Sequence, residues 1–369
     1  MHQQKKTIQK SGNISIISIT AILIILSMGL SSCASIGPRT LQQDRFNYLN
    51  AISDSWKSQI LLNLVKLRYA DAPVFLDIAS VINQYGFQGT VGVGGSWFQN
   101  PSSSSQNLSA QGIYTDKPTI TYLPMGGEQF ARSLMTPIPP AGILSLIQTG
   151  YPVDVVLRTA VHSINGINSR FGSATRAQPA DPEFYQLAHT LRKIQLKGDL
   201  GMRLEKSNDQ TNTIFIIRQH KDQMMNADSL EVSRMLGLDP AAEKFSVVYG
   251  SIASGDKEIA LLTRSILEIL IDLASYIQVP ETCVAEHRTY PTPPMETFNG
   301  SPVSPLIQIF SSTEPPDDSF TCVSYRDVWY WIDDKDYRSK GLFSFIMFIF
   351  TLTESGGRQG APVVTLPAG

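Results

Sequence analysis

From Arg45 to Tyr69, apolar residues recur every three or four positions, at Leu49, Ile52, Trp56, Ile60, Leu64 and Leu67. Asp54, Lys57, Lys66 and Arg68 fall on the other side, the pattern of an amphipathic helix packing one stripe on its own core. Pro73 ends it, since proline lacks an N–H and its ring clashes with the preceding turn. Between Tyr85 and Trp97 the period changes to two. Tyr85, Phe87, Val91, Val93 and Trp97 alternate with Gly86, Gln88, Thr90, Gly92, Gly94 and Ser96, which predicts a strand with one apolar face and one small or polar face. Pro101 to Ser105 reads as a loop. Leu108 to Leu123 supplies one or two return strands, with a turn at Asp116, Lys117 and Pro118.

Three later segments share an order of two strands followed by a helix. The first is Leu200–Glu205, Thr213–Arg218 and Ser229–Leu236. The second is Phe245–Tyr249, Glu258–Leu262 and Arg264–Tyr276. The third is Phe320–Tyr325, Val328–Ile332 and Arg338–Thr353. Arg-Ser opens the last two helices, a weak hint of repeated ββα units; ordinary alternation of strands and helices explains the order as well. Between the second and third segments, Val279–Pro305 holds six prolines, which predicts a surface crossing. Leu342 to Leu352 is nearly all apolar but too short to span a bilayer, and reads as a core helix covered on more than one side. The expected fold class is α+β, with antiparallel hairpins and sheets packed against amphipathic helices. The expected division is a helix and hairpin region over 44–180 and an α+β domain over 181–369.

The N-terminus is patterned for export. Lys5, Lys6 and Lys10 precede an apolar run from Ile14 to Met28, followed by Leu30, Ser31, Ser32 and Cys33. A basic start, a short apolar stretch and small residues before a cut make a secretory signal. Leu30-Ser31-Ser32-Cys33 resembles the lipobox of bacterial lipoproteins. The resemblance implies that residues 1–32 are removed, that Cys33 is lipidated on its thiol, and that 33–43 is a tether. Two or more acyl chains give stable anchoring where one gives only marginal binding. Ala34, in place of the Asp that retains many such lipoproteins at the inner membrane, implies the outer membrane, with the body expected in the periplasm. The alternative is an uncleaved helix over Ile14–Leu30, at the short end of what spans a bilayer.

Composition agrees with a folded body: 42% of residues are apolar and 17% charged. Losing the three leader lysines makes a chain of formal charge −2 more acidic still. Nucleic acid is excluded as a partner, since its recognition demands clustered Lys and Arg. Once Cys33 is lipidated, Cys283 and Cys322 remain. An oxidising periplasm permits a disulfide between them, and two buried free thiols are the alternative.

Local catalytic motifs do not occur. No Gly-x-Ser-x-Gly is present, and His162, His189, His220 and His287 stand far apart, without the i,i+4 spacing of a helical zinc site. Gly92-Val93-Gly94-Gly95 is followed by aromatics and prolines instead of the helix a phosphate loop needs. Asp333, Asp334 and Asp336 lie beside a core element. They are expected to cap the following helix, Asp334 or Asp336 at its first N–H groups, with calcium binding through their oxygens as the rival reading. Trp329 and Trp331 share one face of a strand and Tyr330 the other. The two indoles form either a core layer or a binding platform.

Ile52-Ser53-Asp54-Ser55-Trp56-Lys57, Leu64-Val65-Lys66-Leu67-Arg68-Tyr69, Trp331-Ile332-Asp333-Asp334 and Arg338-Ser339-Lys340 together resemble an uncharacterised group of bacterial outer-membrane lipoproteins. The resemblance implies neither catalytic residues nor a cofactor. The expected function is a non-enzymatic binding or scaffolding component of the envelope. Its expected partners are membrane lipid, through the acylated N-terminus, and other envelope proteins. In a sharper form, the Tyr85–Trp97 hairpin enters the membrane as part of an oligomeric barrel. The competing expectation is an envelope hydrolase with a site assembled from distant residues.

Overall fold

The computed structural model describes residues 36–82, 85–96, 105–116, 119–173, 178–207, 210–219 and 227–353. Cys33, the leader, Trp97, the Pro101–Ser104 run, the Lys117-Pro118 turn and His220 lie outside them. The chain forms an α+β fold in two compact units, residues 1–53 with 81–120 and residues 54–80 with 121–369. The expected boundary at 180 is corrected, because one sheet draws strands from both sides of it.

In the first unit, helix α1 (Ile36–Arg68) starts earlier than its apolar stripe. The expected tether is therefore helical from Ile36. Pro38 falls in the first turn, where its missing N–H has no intrahelical partner to lose, and residues of adequate helix propensity follow. Phe46 and Leu49 are more than half exposed, so the stripe does not bury its N-terminal end. The other elements of this unit are the paired strands β2 (Tyr85–Ser96) and β3 (Ser105–Asp116). They run antiparallel in continuous register, from Tyr85 opposite Asp116 to Ser96 opposite Ser105.

The second unit takes α1 from Asp54, and here Ile60, Leu61, Leu64 and Val65 are fully buried. β1 (Leu76–Ile82) pairs with β4 (Thr119–Pro124), so the return from the hairpin is two strands. A short helix α2 (Gly127–Phe130) continues into a π-helical turn at Ala131–Met135. α3 (Pro140–Gln148) and α4 (Val153–Ala160) then lead into the main sheet. It contains β5 (Val161–Ile164), β6 (Ile167–Asn168), β7 (Leu200–Ser207), β8 (Gln210–Ile217), β9 (Lys244–Tyr249) and β10 (Glu258–Thr263), in the order β6-β5-β10-β9-β8-β7. α3 packs across β7 to β10. α5 (Pro182–Lys197) packs between α4 and α6 (Ala227–Leu236).

The second ββα segment departs from the other two. β9 and β10 are parallel neighbours, whereas β7 and β8 form an antiparallel hairpin. A parallel pair needs a return connection, usually a dozen or more residues with a helix. Here residues 250–257 make the return alone. The Asp239 N–H donates to the Asp256 carbonyl at 2.8 Å and the Ser246 N–H to the Lys257 carbonyl at 2.9 Å, laying the loop beside the strands. The hint of a repeat is therefore corrected.

α7 (Ile266–Ala274) is capped by Ser265 and Glu268 in a reciprocal capping box. After α8 (Glu281–Ala285) and the small hairpin β11 (Thr297–Phe298) and β12 (Ser301–Pro302), the proline-rich crossing ends in a three-stranded sheet. Its order is β13 (Phe310–Ser312), β15 (Val328–Ile332), β14 (Thr321–Tyr325). α9 (Tyr337–Thr353) buries Leu342, Phe343, Phe345, Ile346, Ile349 and Phe350. Each such side chain contributes about 1.5–3 kcal/mol relative to exposure. Phe348 is 45% exposed, so α9 is covered around most of its circumference and not all of it.

Candidate binding surfaces

The three-stranded sheet has two unlike faces. Tyr330 and Ile332 are fully buried, opposite Val323 and Thr321 on β14, and they form the inner face. Trp329 and Trp331 point the other way by alternation and are half-buried. Trp331 sits between Phe310 and Cys322 in register, and its ring tilts against Phe310 at 5.0 Å between centroids. Among the described residues the Trp331 indole N–H, itself buried, meets no acceptor. Trp329 lies one step along, between Ser312 and Ser324. The two tryptophans thus form, with Phe310, an aromatic patch on the side of the sheet away from Tyr330.

A cavity of about 440 Å³ opens between the π-turn, the main sheet and α7, lined by Met135, Pro137, His162, Tyr249, Thr263 and Glu268 among others. It brings a histidine, a carboxylate and a serine to one place. Their chemistry is largely committed. Ser265 Oγ donates to Glu268 Oε2 at 3.0 Å, and the Glu268 N–H donates back to it at 3.3 Å. The Ser265 N–H also donates to Glu268 Oε2, at 2.8 Å, and Thr263 Oγ1 donates to the Ile138 carbonyl at 2.5 Å. These bonds cap α7 and close a bridge; Ser265 is no activated nucleophile. His162 stacks edge-on to Phe171. His189, on α5, and His287, after α8, are exposed on other elements.

The sequence reading missed the polar interior. Arg264, 1% exposed, donates to Asp272 Oδ2 at 3.1 Å and to the Thr159 carbonyl at 3.3 Å, and it also bonds the Arg170 carbonyl. Asp272 Oδ1 accepts from Arg170 at 2.9 Å and from the Gly172 N–H at 2.6 Å. Arg170 reaches Glu296 at 3.5 Å, and the Tyr185 hydroxyl donates to that carboxylate at 2.6 Å. Burial pushes Tyr185 well above its ordinary value, with the Glu296 bond adding to it. Burial also pushes Tyr276 up to about 12, despite Arg170 packed over its ring at 4.3 Å. The network ties α7, the segment after β6 and the proline-rich crossing together. A Cβ on Gly172 would lie 2.7 Å from the Ser275 Cβ, so only glycine fits that approach. Arg68, also 1% exposed, lies against Tyr290 at 3.8 Å and donates to its carbonyl at 2.8 Å.

Of the two readings for Cys283 and Cys322, a disulfide or free thiols, the structure holds the free thiols. The reason is the sheet itself. Cys283 lies beside Tyr69, whose hydroxyl meets that of Tyr330 at 2.5 Å on the inner face. Cys322 lies opposite Trp331, on the outer face. The backbone of the sheet separates them. The aspartates act as expected: the Ser339 N–H donates to Asp336 Oδ1 at 3.1 Å, which makes Asp336 the cap of α9. Asp334 instead accepts from Lys340 at 2.7 Å, and Asp333 accepts from the Lys335 N–H at 2.8 Å. Among the described residues no group of His, Cys, Asp and Glu is placed to hold a metal ion, and no helix is long and apolar enough to cross a membrane. Comparison with protein-family models, curated proteins and solved structures gives no match.

Proposed function

We propose that this chain is a lipid-anchored envelope protein that binds or scaffolds other components at the outer membrane, without catalysing a reaction. The observation that carries the reading is Leu30-Ser31-Ser32-Cys33 behind a basic and then apolar leader. Acylation of Cys33 would fix the body at a membrane surface, where a modest binding surface gains from local concentration. The patch of Trp329, Trp331 and Phe310 supplies such a surface: rings offer large contact area at little entropic cost. The commitment of Ser265 and Glu268 to capping favours binding over hydrolysis in the 440 Å³ cavity.

Intact mass of the native protein tests the anchor. The expected chain begins at Cys33 and carries added acyl mass; a chain that retains residues 1–32 without acyl mass overturns it. Crosslinking in the native envelope tests the surface. A product lost in Trp329→Ser and Trp331→Ser supports the patch, and products unchanged in both remove it.

A further inference from the structure

The two faces of the β2–β3 ribbon suit different solvents. In register, Phe87 stands opposite Tyr114, Gly89 opposite Gly112, Val91 opposite Ala110 and Val93 opposite Leu108. Alternation puts these positions on one face. The other face holds the pairs Gln88–Ile113, Thr90–Gln111, Gly92–Ser109, Gly94–Asn107 and Ser96–Ser105. Gln88, Thr90, Ser109 and Gln111 there are exposed. Short of Asp116, which ends β3 opposite Tyr85, the ribbon is also devoid of charge. No Asp, Glu, Lys, Arg or His occurs between Asp77 and Asp116, in a chain with 17% charged residues; about six would be expected by composition.

Strand edges in water are usually guarded by charges, prolines or bulges, because unpaired N–H and C=O groups recruit other strands. From Tyr85 to Ser96, and from Ser105 to Thr115, none of these guards is present, and the ladder has no bulge. Among the described residues β2 and β3 pair only with each other, so each keeps an open edge. An isolated two-stranded ribbon is marginal in water. An apolar face, a polar face, uncharged strands and open edges are together what a membrane barrel requires of its staves. Length agrees: a strand of 12 residues, rising about 3.3 Å per residue and tilted about 40°, crosses about 28–30 Å, against an apolar band of about 25 Å. In register, positions Tyr85, Phe87 and Tyr114 fall at one end of the apolar face, where barrels carry an aromatic girdle.

We propose that the β2–β3 hairpins of several copies of this chain close edge to edge into one β-barrel across the outer membrane, with the Phe87–Val91–Val93 face on lipid and the Gln88–Thr90 face toward a water-filled lumen. Two strands cannot close alone; the smallest such barrels have about eight strands, hence about four copies or more. The proposal rests on the lipid-anchor reading only in that acylated Cys33 gathers the copies on one surface.

The test uses the full-length lipidated protein extracted in mild detergent, with native mass, single-channel recording in planar bilayers and intact mass at Cys33. The expected result is an oligomer of four or more copies with stepwise conductance. Val91→Lys, on the lipid face, lowers the yield of oligomer by about tenfold or more and abolishes conductance. Thr90→Lys, on the lumen face, preserves the oligomer and shifts conductance toward anions. An unchanged thermal transition of the second unit in both variants separates these effects from misfolding. An acylated wild-type chain that is monomeric and does not conduct overturns the barrel while leaving the anchor reading intact. A conducting oligomer without acyl mass does the reverse. Equal loss in Val91→Lys and Thr90→Lys also overturns the barrel, since it removes the distinction between faces.

Discussion

At the scale of single residues, the buried ion cluster is the most sensitive point of the second unit. Asp272 neutralises both Arg264 and Arg170, and its side chain is 2% exposed beside Arg264 at 1%. Removing one member of a buried pair leaves an uncompensated charge, which costs about 3–5 kcal/mol. Asp272→Ala is therefore expected to lower the unfolding free energy obtained from urea melts by that amount, and a change below about 1 kcal/mol would contradict the geometry. The thiols give a simpler check. Cys283 and Cys322 should both react as thiols in denaturant without reductant. None of this cluster could be read from sequence. Arg170, Arg264, Asp272 and Glu296 are spread over more than a hundred positions, and charge pairing at such distances leaves no periodic trace. Asp336 was legible because a helix cap acts within four residues.

At the scale of elements, periodicity found what is long and amphipathic and lost what is short or decided by neighbours. The strand at Tyr85–Ser96 and the apolar helix α9 follow their patterns. The stripe of α1 is fully buried only from Ile60 onward, with Trp56 partly packed and Leu49 exposed, since an apolar period says which face can pack and not whether a partner is there. β5 and β6 have four and two residues, below any useful window. Their local signal was nonetheless present: Asn165-Gly166 both adopt positive φ, 44° and 84°, as a two-residue hairpin turn demands. The cap of α9 is testable here. Asp336→Ala should cost about 1 kcal/mol, equally with and without a chelator. A melting temperature of the wild-type protein that depends on chelator would instead assign the aspartates to a cation.

At the scale of the whole molecule, tyrosines couple the fold to alkaline pH. Burial raises Tyr69, Tyr185, Tyr276 and Tyr330 above the ordinary value of 10.0, Tyr276 and Tyr330 to about 12. Above pH 10 the unfolded chain loses these protons while the folded chain keeps them. Stability is then full below about pH 10 and falls as pH rises through the folded values. Urea midpoints measured from pH 9 to pH 11.5 should decline increasingly steeply, accompanied by a late tyrosinate signal in the ultraviolet difference spectrum. A flat profile would mean that the hydroxyls reach solvent. Tyr69 and Tyr330, joined through their hydroxyls, lie far apart in the chain, so this coupling belongs to the assembled second unit.

By itself the sequence determined the α+β class, the alternating hairpin strand and the capped apolar helix over Tyr337–Thr353. Each depends on residues within a few positions of one another, and the backbone's two periods turn such neighbours into a face or a cap. Only the tertiary structure decided that β9 and β10 run parallel, that the core crosses residue 180, that the two cysteines stand on opposite sides of a sheet, and that buried arginines are held by distant carboxylates. Those depend on which faces meet once the chain has turned back on itself, and contacts between segments remote in sequence follow no period that the chain displays.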